Sequence, residues 1–313
     1  AGIMGIDWPG HLTDRGGADS GGVRAGGCMR PGLVRVGLWH RWLCALAACL
    51  CVPYVSWRAT AADGFGVDGA AAVPPGSRVS PSNTRAPGEA GFTVVSDIDG
   101  MELVLVPGGE FLYGEDRVAC ELPSFYIDKH EVTNDQFARF VAATGYAPRR
   151  WHYIEGRGSH PAVNVSLLDA EAYAAWAGRA IPTEGQWEKA ARGTDGRPYP
   201  WGAEWHDTYA ITPECGVKGD VPVGSVPLGA SPYGALDMVG NVWEWTVSPY
   251  RGDSDGGRRA LRGGAWDAHK GKRRANCTYR SKFPPERTDG KLGFRCVWPA
   301  QPWASPVAGG ERG

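Results

Sequence analysis

Apolar positions crowd the segment Met101-Glu-Leu-Val-Leu-Val-Pro-Gly-Gly-Glu-Phe-Leu, a β-rich run interrupted by Pro-Gly-Gly, which predicts a strand, a turn and a second strand. Ser124-Phe-Tyr-Ile-Asp-Lys offers another strand. Three short helices are marked by their starts. Thr133 is followed by Gln136, Ser166 by Asp169 and Thr183 by Gln186, each a capping box or its Asp variant, and Gly145, Gly178 and Gly193 are placed to stop them. Beyond Arg197 the chain is dense in Gly, Pro and Trp with only short β-like runs, so side chains, disulfides or bound ions must hold much of its backbone. No repeat of solenoid or propeller period is present.

The hydrophobic pattern changes character upstream. Residues 1–28 are Gly-rich and aperiodic and do not begin with Met, so they read as disordered or as sequence before the true start. From Met29 a basic segment (Arg30, Arg35, Arg41) leads into the apolar run Trp42 to Val55, too short for a membrane span, and residues 29–61 read as a secretory signal. Processing is expected either after Ala59-Thr60-Ala61 or at the lipobox-like Leu46-Ala47-Ala48-Cys49, which would leave a lipid anchor on Cys49. Residues 62–91 are rich in Ala, Pro, Gly and Ser and read as a disordered linker. One domain then spans residues 92–299, and 300–313 form a disordered tail.

Composition narrows the function classes. With 42% apolar and 21% charged residues the chain can bury a core, and a net charge of -1 leaves no footprint for nucleic acid. The histidines show no His-Glu-x-x-His spacing, and neither a Gly-x-Ser-x-Gly elbow nor a phosphate loop occurs. Four cysteines fall in the domain, Cys120, Cys215, Cys277 and Cys296. In an oxidising compartment they predict two disulfides in one of three pairings; the alternative is buried thiols. The tryptophans suggest core packing before sugar stacking.

Read together, several strings resemble the formylglycine-generating enzyme / sulfatase-modifying factor family. They are the Met101 to Phe111 segment, Tyr126-Ile-Asp-Lys-His-Glu-Val-Thr-Asn, Ile181-Pro-Thr-Glu-Gly-Gln-Trp-Glu-Lys-Ala-Ala-Arg-Gly and Tyr199-Pro-Trp-Gly. They continue with Tyr233-Gly-Ala-Leu-Asp-Met-Val-Gly-Asn-Val-Trp-Glu-Trp, Leu261-Arg-Gly-Gly-Ala-Trp and Leu292-Gly-Phe-Arg-Cys. The resemblance implies an α+β, C-type-lectin-like fold with few regular elements. It also implies that the two copper(I)-binding cysteines of the oxidase would stand at Ala268 and Arg273, so neither copper nor formylglycine chemistry is expected.

Trp243 and His269 fall where the family places a pocket tryptophan and histidine, and Asp267, His269, Arg273 and Arg280 would line the same cleft, suited to an anionic or zwitterionic ligand. The family's calcium loop maps to Asp237, Gly240, Val242 and Glu244, unless the turn is held by tryptophan packing alone. Its second calcium site is expected to be lost, since Tyr209-Ala210-Ile211 lacks the asparagine, although Asp220 is nearby. Cys277 and Cys296 match structural cysteines whose helix partners are Ala174 and Ala191 here, which leaves Cys120 and Cys215 as substitute partners. Three functions remain: an exported binding or accessory module, a periplasmic enzyme of altered chemistry as in siderophore-maturation relatives, and true formylglycine generation by other residues.

Overall fold

The computed structural model describes residues 73–251, 257–268 and 274–299, all within the unit Ala59–Gly313. The strand runs predicted from the sequence form the centre. A five-stranded sheet has the order Ser77–Val79 (β1), Thr93–Ser96 (β2), Glu102–Val106 (β3), Phe125–Asp128 (β6) and Val297–Trp298 (β11), antiparallel throughout. Its inner strands are buried at nearly every position because both faces are covered. Leu103 and Leu105 point into one core with Phe137, Tyr173 and Trp245, while Val104 and Val106 point into another with Phe111, Trp187 and Met238.

Gly109–Tyr113 (β4) leaves this sheet after the Pro-Gly turn and pairs with Val118–Leu122 (β5). A second sheet joins Trp243–Pro249 (β7), Arg259–Arg262 (β8), Ser281–Phe283 (β9) and Leu292–Gly293 (β10), with β10 parallel to β7. The helices are Asn134–Thr144 (α1), Leu167–Trp176 (α2) and Glu184–Arg192 (α3), each opened by the expected capping box. Gly145 and Gly193 close α1 and α3; α2 stops at Ala177, one residue before Gly178. The fold is mixed α/β with much irregular structure, as the resemblance implied.

Two sequence expectations need correction. The fold reaches back to β1, inside the stretch read as linker, because β1 pairs through its backbone with β2 and needs no apolar side chains to do so. Ser80 and Ser82 then donate hydrogen bonds to Glu102 at 2.7 and 2.8 Å. The four described cysteines, Cys120, Cys215, Cys277 and Cys296, are free. Cys277 lies in the core that contains Ala191, and Cys296 in the core that contains Ala174. With alanine in place of a partner, each is a buried apolar side chain, and burial pushes both thiols up. Cys120 lies half-buried on β5, and Cys215 donates to the Thr212 carbonyl. Among the tryptophans, Trp187 and Trp245 are fully buried and Trp201, Trp243, Trp266 and Trp298 partly so. Among the described residues no helix is long and apolar enough to cross a membrane. The signal-like segment and Cys49 lie outside the described residues.

Candidate functional site

The turn before β7 is built from left-handed backbone at Asp237 (φ 56°), Gly240 (φ 87°) and Asn241 (φ 57°). Only glycine fits at 240, where a Cβ would stand 2.4 Å from the Ile211 carbonyl oxygen. Asn241 ties the turn to its surroundings. Its amide nitrogen donates to Glu131 Oε1 at 3.1 Å, its side-chain oxygen accepts from Val221 N at 3.0 Å, and its carbonyl accepts from Trp266 N at 3.0 Å. The segment after Gly263-Gly264 is thereby fixed beside the start of β7.

Glu244, expected as a calcium ligand, is held differently. Arg295 Nε and Nη2 donate to its two oxygens at 2.7 Å, and Trp187 Nε1 donates at 2.7 Å. Both members of this ion pair are fully buried. The unassigned acid is Glu131. Burial and then the neighbouring Asp237 push its carboxyl well above the usual range, burial also raises Asp237, and Glu131 Oε2 is buried without a partner among the described residues. Asp237 accepts from Gly224 N at 2.5 Å.

Among the described residues no three His, Cys, Asp or Glu side chains group so as to hold a metal ion, so carboxylates alone make no cage. Three buried acids, Glu131, Asp237 and Glu244, face one guanidinium, however, and carboxylates beside backbone carbonyls are the hard oxygen donors that calcium takes. Asp220, near the family's second site, is paired instead with Arg157 at 2.5 Å and His160 at 3.1 Å.

The cleft residues divide into two groups. Trp243 is half-buried, donates its backbone N–H to the Lys291 carbonyl at 2.8 Å and lies 5.9 Å from the Tyr279 ring. Lys291 Nζ bonds Asp267 at 2.6 Å, and this hydrogen bond holds the lysine above its ordinary range. Lys291 therefore links the Trp243 backbone, through its carbonyl, to Asp267, through its ammonium.

Arg280 does not join them as a free cation. Its Nε and Nη2 grip both Glu184 oxygens and its guanidinium lies over Tyr250 at 4.8 Å, lining a cavity of about 480 Å³ with Tyr113, Tyr250 and the Tyr279 that neighbours Trp243. Ala268 is buried; His269 and Arg273 lie outside the described residues. Glu131 stands inside a quoted motif and Lys291 directly precedes another, but only the folded neighbourhood gives either a role.

Fold and site together define a C-type-lectin-like domain of sulfatase-modifying type, with the buried Ala268 following its Gly263-Gly264 turn. Residues 92–300 match the sulfatase-modifying factor enzyme 1-like domain, and the chain belongs to that family. A formylglycine-generating enzyme of Streptomyces coelicolor is 33% identical, over 73% of this chain and 94% of its own length. The inactive C-alpha-formylglycine-generating enzyme 2 of Bos taurus is 40% identical over 63% of this chain and 88% of its own. In fold the chain is similar to PvdO from Pseudomonas aeruginosa, with a TM-score of 0.55, 23% identity and coverage of 67% of this chain and 98% of that one.

Proposed function

We propose that this protein is an exported binding or accessory module of the formylglycine-generating enzyme family, without the family's oxidase activity. The observation that carries it is the buried, sulfur-free Ala268 after Gly263-Gly264, with every described cysteine placed elsewhere in the fold. Copper(I) oxidase chemistry needs soft thiolates, and Ala268 and Arg273 supply none. The similarity to a relative named inactive supports the same reading. Incubating the purified protein with a Cys-x-Pro-x-Arg peptide and analysing the product by mass spectrometry is expected to give no aldehyde above a no-protein control. Aldehyde formation would overturn the proposal.

A second reading, an envelope enzyme of altered chemistry, is favoured by one contact, the Asp267–Lys291 pair beside Trp243. Turnover abolished by Lys291→Ala would establish it.

Calcium belongs to the same proposal as a structural ion. Asp237 and Glu131 would hold it with the Gly240 and Val242 carbonyls, while Arg295 keeps Glu244 neutralised alongside. The ion would supply two positive charges against the buried carboxyls of Asp237 and Glu131.

A further inference from the structure

We propose that the groove of about 540 Å³ between the segment after α1 and the loop after β9 is a docking site for an acidic peptide segment of a partner protein. The groove is lined by Arg149, Arg150, Asn164, Glu286, Arg287 and Thr288, so three guanidiniums face it against one carboxylate. Arg287 is steadied by Asp289 at 3.2 Å and lies over the Phe283 ring at 5.2 Å. The guanidiniums of Arg149 and Arg150 have no acid partner among the described residues.

Both walls are anchored, which keeps these charges together. Trp151, next to Arg150, packs 4.8 Å from Phe137 and donates to Asn134 at 2.9 Å. The opposite loop is fastened at both ends, by Leu167 N to the Pro285 carbonyl at 2.9 Å and Asn164 N to the Asp289 carbonyl at 3.0 Å. Two residues further on, Lys291 reaches Asp267 and its carbonyl receives Trp243 N, so the groove and the candidate cleft share one loop. The inference rests on the proposed binding role and names the chemistry of what is bound.

Like charges held close together on anchored walls raise a local positive potential that isolated surface arginines do not. Guanidiniums pair carboxylates in two-pronged fashion, and an open groove of this length takes an extended side-chain-bearing segment better than a compact inorganic anion. A nucleic acid fits less well, because the chain as a whole carries a net charge of -1.

The test is a fluorescence-polarisation titration of the full chain with a labelled Glu/Asp-rich peptide, its Gln/Asn counterpart, inorganic phosphate as competitor and a single-stranded oligonucleotide. The acidic peptide is expected to bind at least about tenfold more tightly than the amide peptide, and more weakly as salt rises. Arg149→Glu with Arg150→Glu should remove that preference without moving the thermal midpoint, since both side chains are exposed. Three results would overturn the proposal: equal binding of the amide peptide, full displacement by phosphate at matched concentration, or tighter binding of the oligonucleotide. Aldehyde formation in the peptide assay would sink the proposed function and leave this titration standing; a flat titration would do the reverse.

Discussion

Arg295 stands in the Leu-Gly-Phe-Arg-Cys string, yet nothing in that string says that its guanidinium spans Glu244, the Asp128 carbonyl and the Leu236 carbonyl. Burial works against its charge, and Glu244 more than restores it, so its pKa is raised. Arg295→Met would strand a buried carboxylate, and we expect a loss of about 3–5 kcal/mol, read as a lowered denaturation midpoint. Adding Glu244→Gln should recover part of that loss.

Glu102 gives the acid counterpart. Burial alone would raise its carboxyl, but hydrogen bonds from Lys129, Ser80 and Ser82 hold it down to about 2 against an ordinary 4.5. A depressed folded-state pKa contributes stability above the unfolded value and loses it as pH falls through the folded one. The parent should therefore lose on the order of 1–3 kcal/mol more than Glu102→Gln between pH 4.5 and about 2, measured by urea titration at each pH. Sequence reading found the charged residues at this scale but not their partners, because sequence neighbours do not choose partners such as Lys129 for Glu102 or Glu184 for Arg280.

The helices were the most legible elements, because a capping box is local chemistry written in four residues. At Thr183 the hydroxyl accepts from Gln186 N at 3.2 Å while Gln186 Oε1 accepts from Thr183 N at 3.0 Å. Thr183→Ala should cost about 1 kcal/mol, and Thr183→Ser much less, by thermal melting of the purified variants. Strands were legible where apolar runs stood out, at β3, β4 and β6. The Pro-Gly-Gly break predicts a turn correctly, but it cannot show that β3 and β4 enter different sheets. β1 carries no hydrophobic signal, and β10 is too short to have one and is defined by its parallel partner. The disulfide expectation failed for a related reason. Cysteine count is a property of the chain, whereas pairing depends on which core each thiol enters, and Cys277 and Cys296 enter different ones.

Across the whole molecule, the turn at Asp237 to Asn241 is bonded to the segments at Ile211, Val221, Gly224 and Gly263, so the proposed calcium should bear on global stability. At about 100 times its dissociation constant, an ion that binds only the folded state adds about 2.7 kcal/mol. A rise in the thermal midpoint with calcium over chelator is expected for the parent and should vanish in Asp237→Ala. An unchanged parent would mean that Asn241 and the tryptophans hold the turn alone. The family was legible because its strings lie in order along the chain; the charged groove was not, because Arg149 and Arg287 meet only after folding.

The closing strand sets the timing of all this. β11 pairs with β6, Val297 exchanges backbone hydrogen bonds with Ala180 at 2.8 and 3.0 Å, and Cys296 N donates to Asp128 at 2.8 Å. These residues leave the ribosome after every other described part of the domain. Until they do, β6 has an open edge and Glu244 lacks the Arg295 countercharge, so the domain locks only once its last strand is in place.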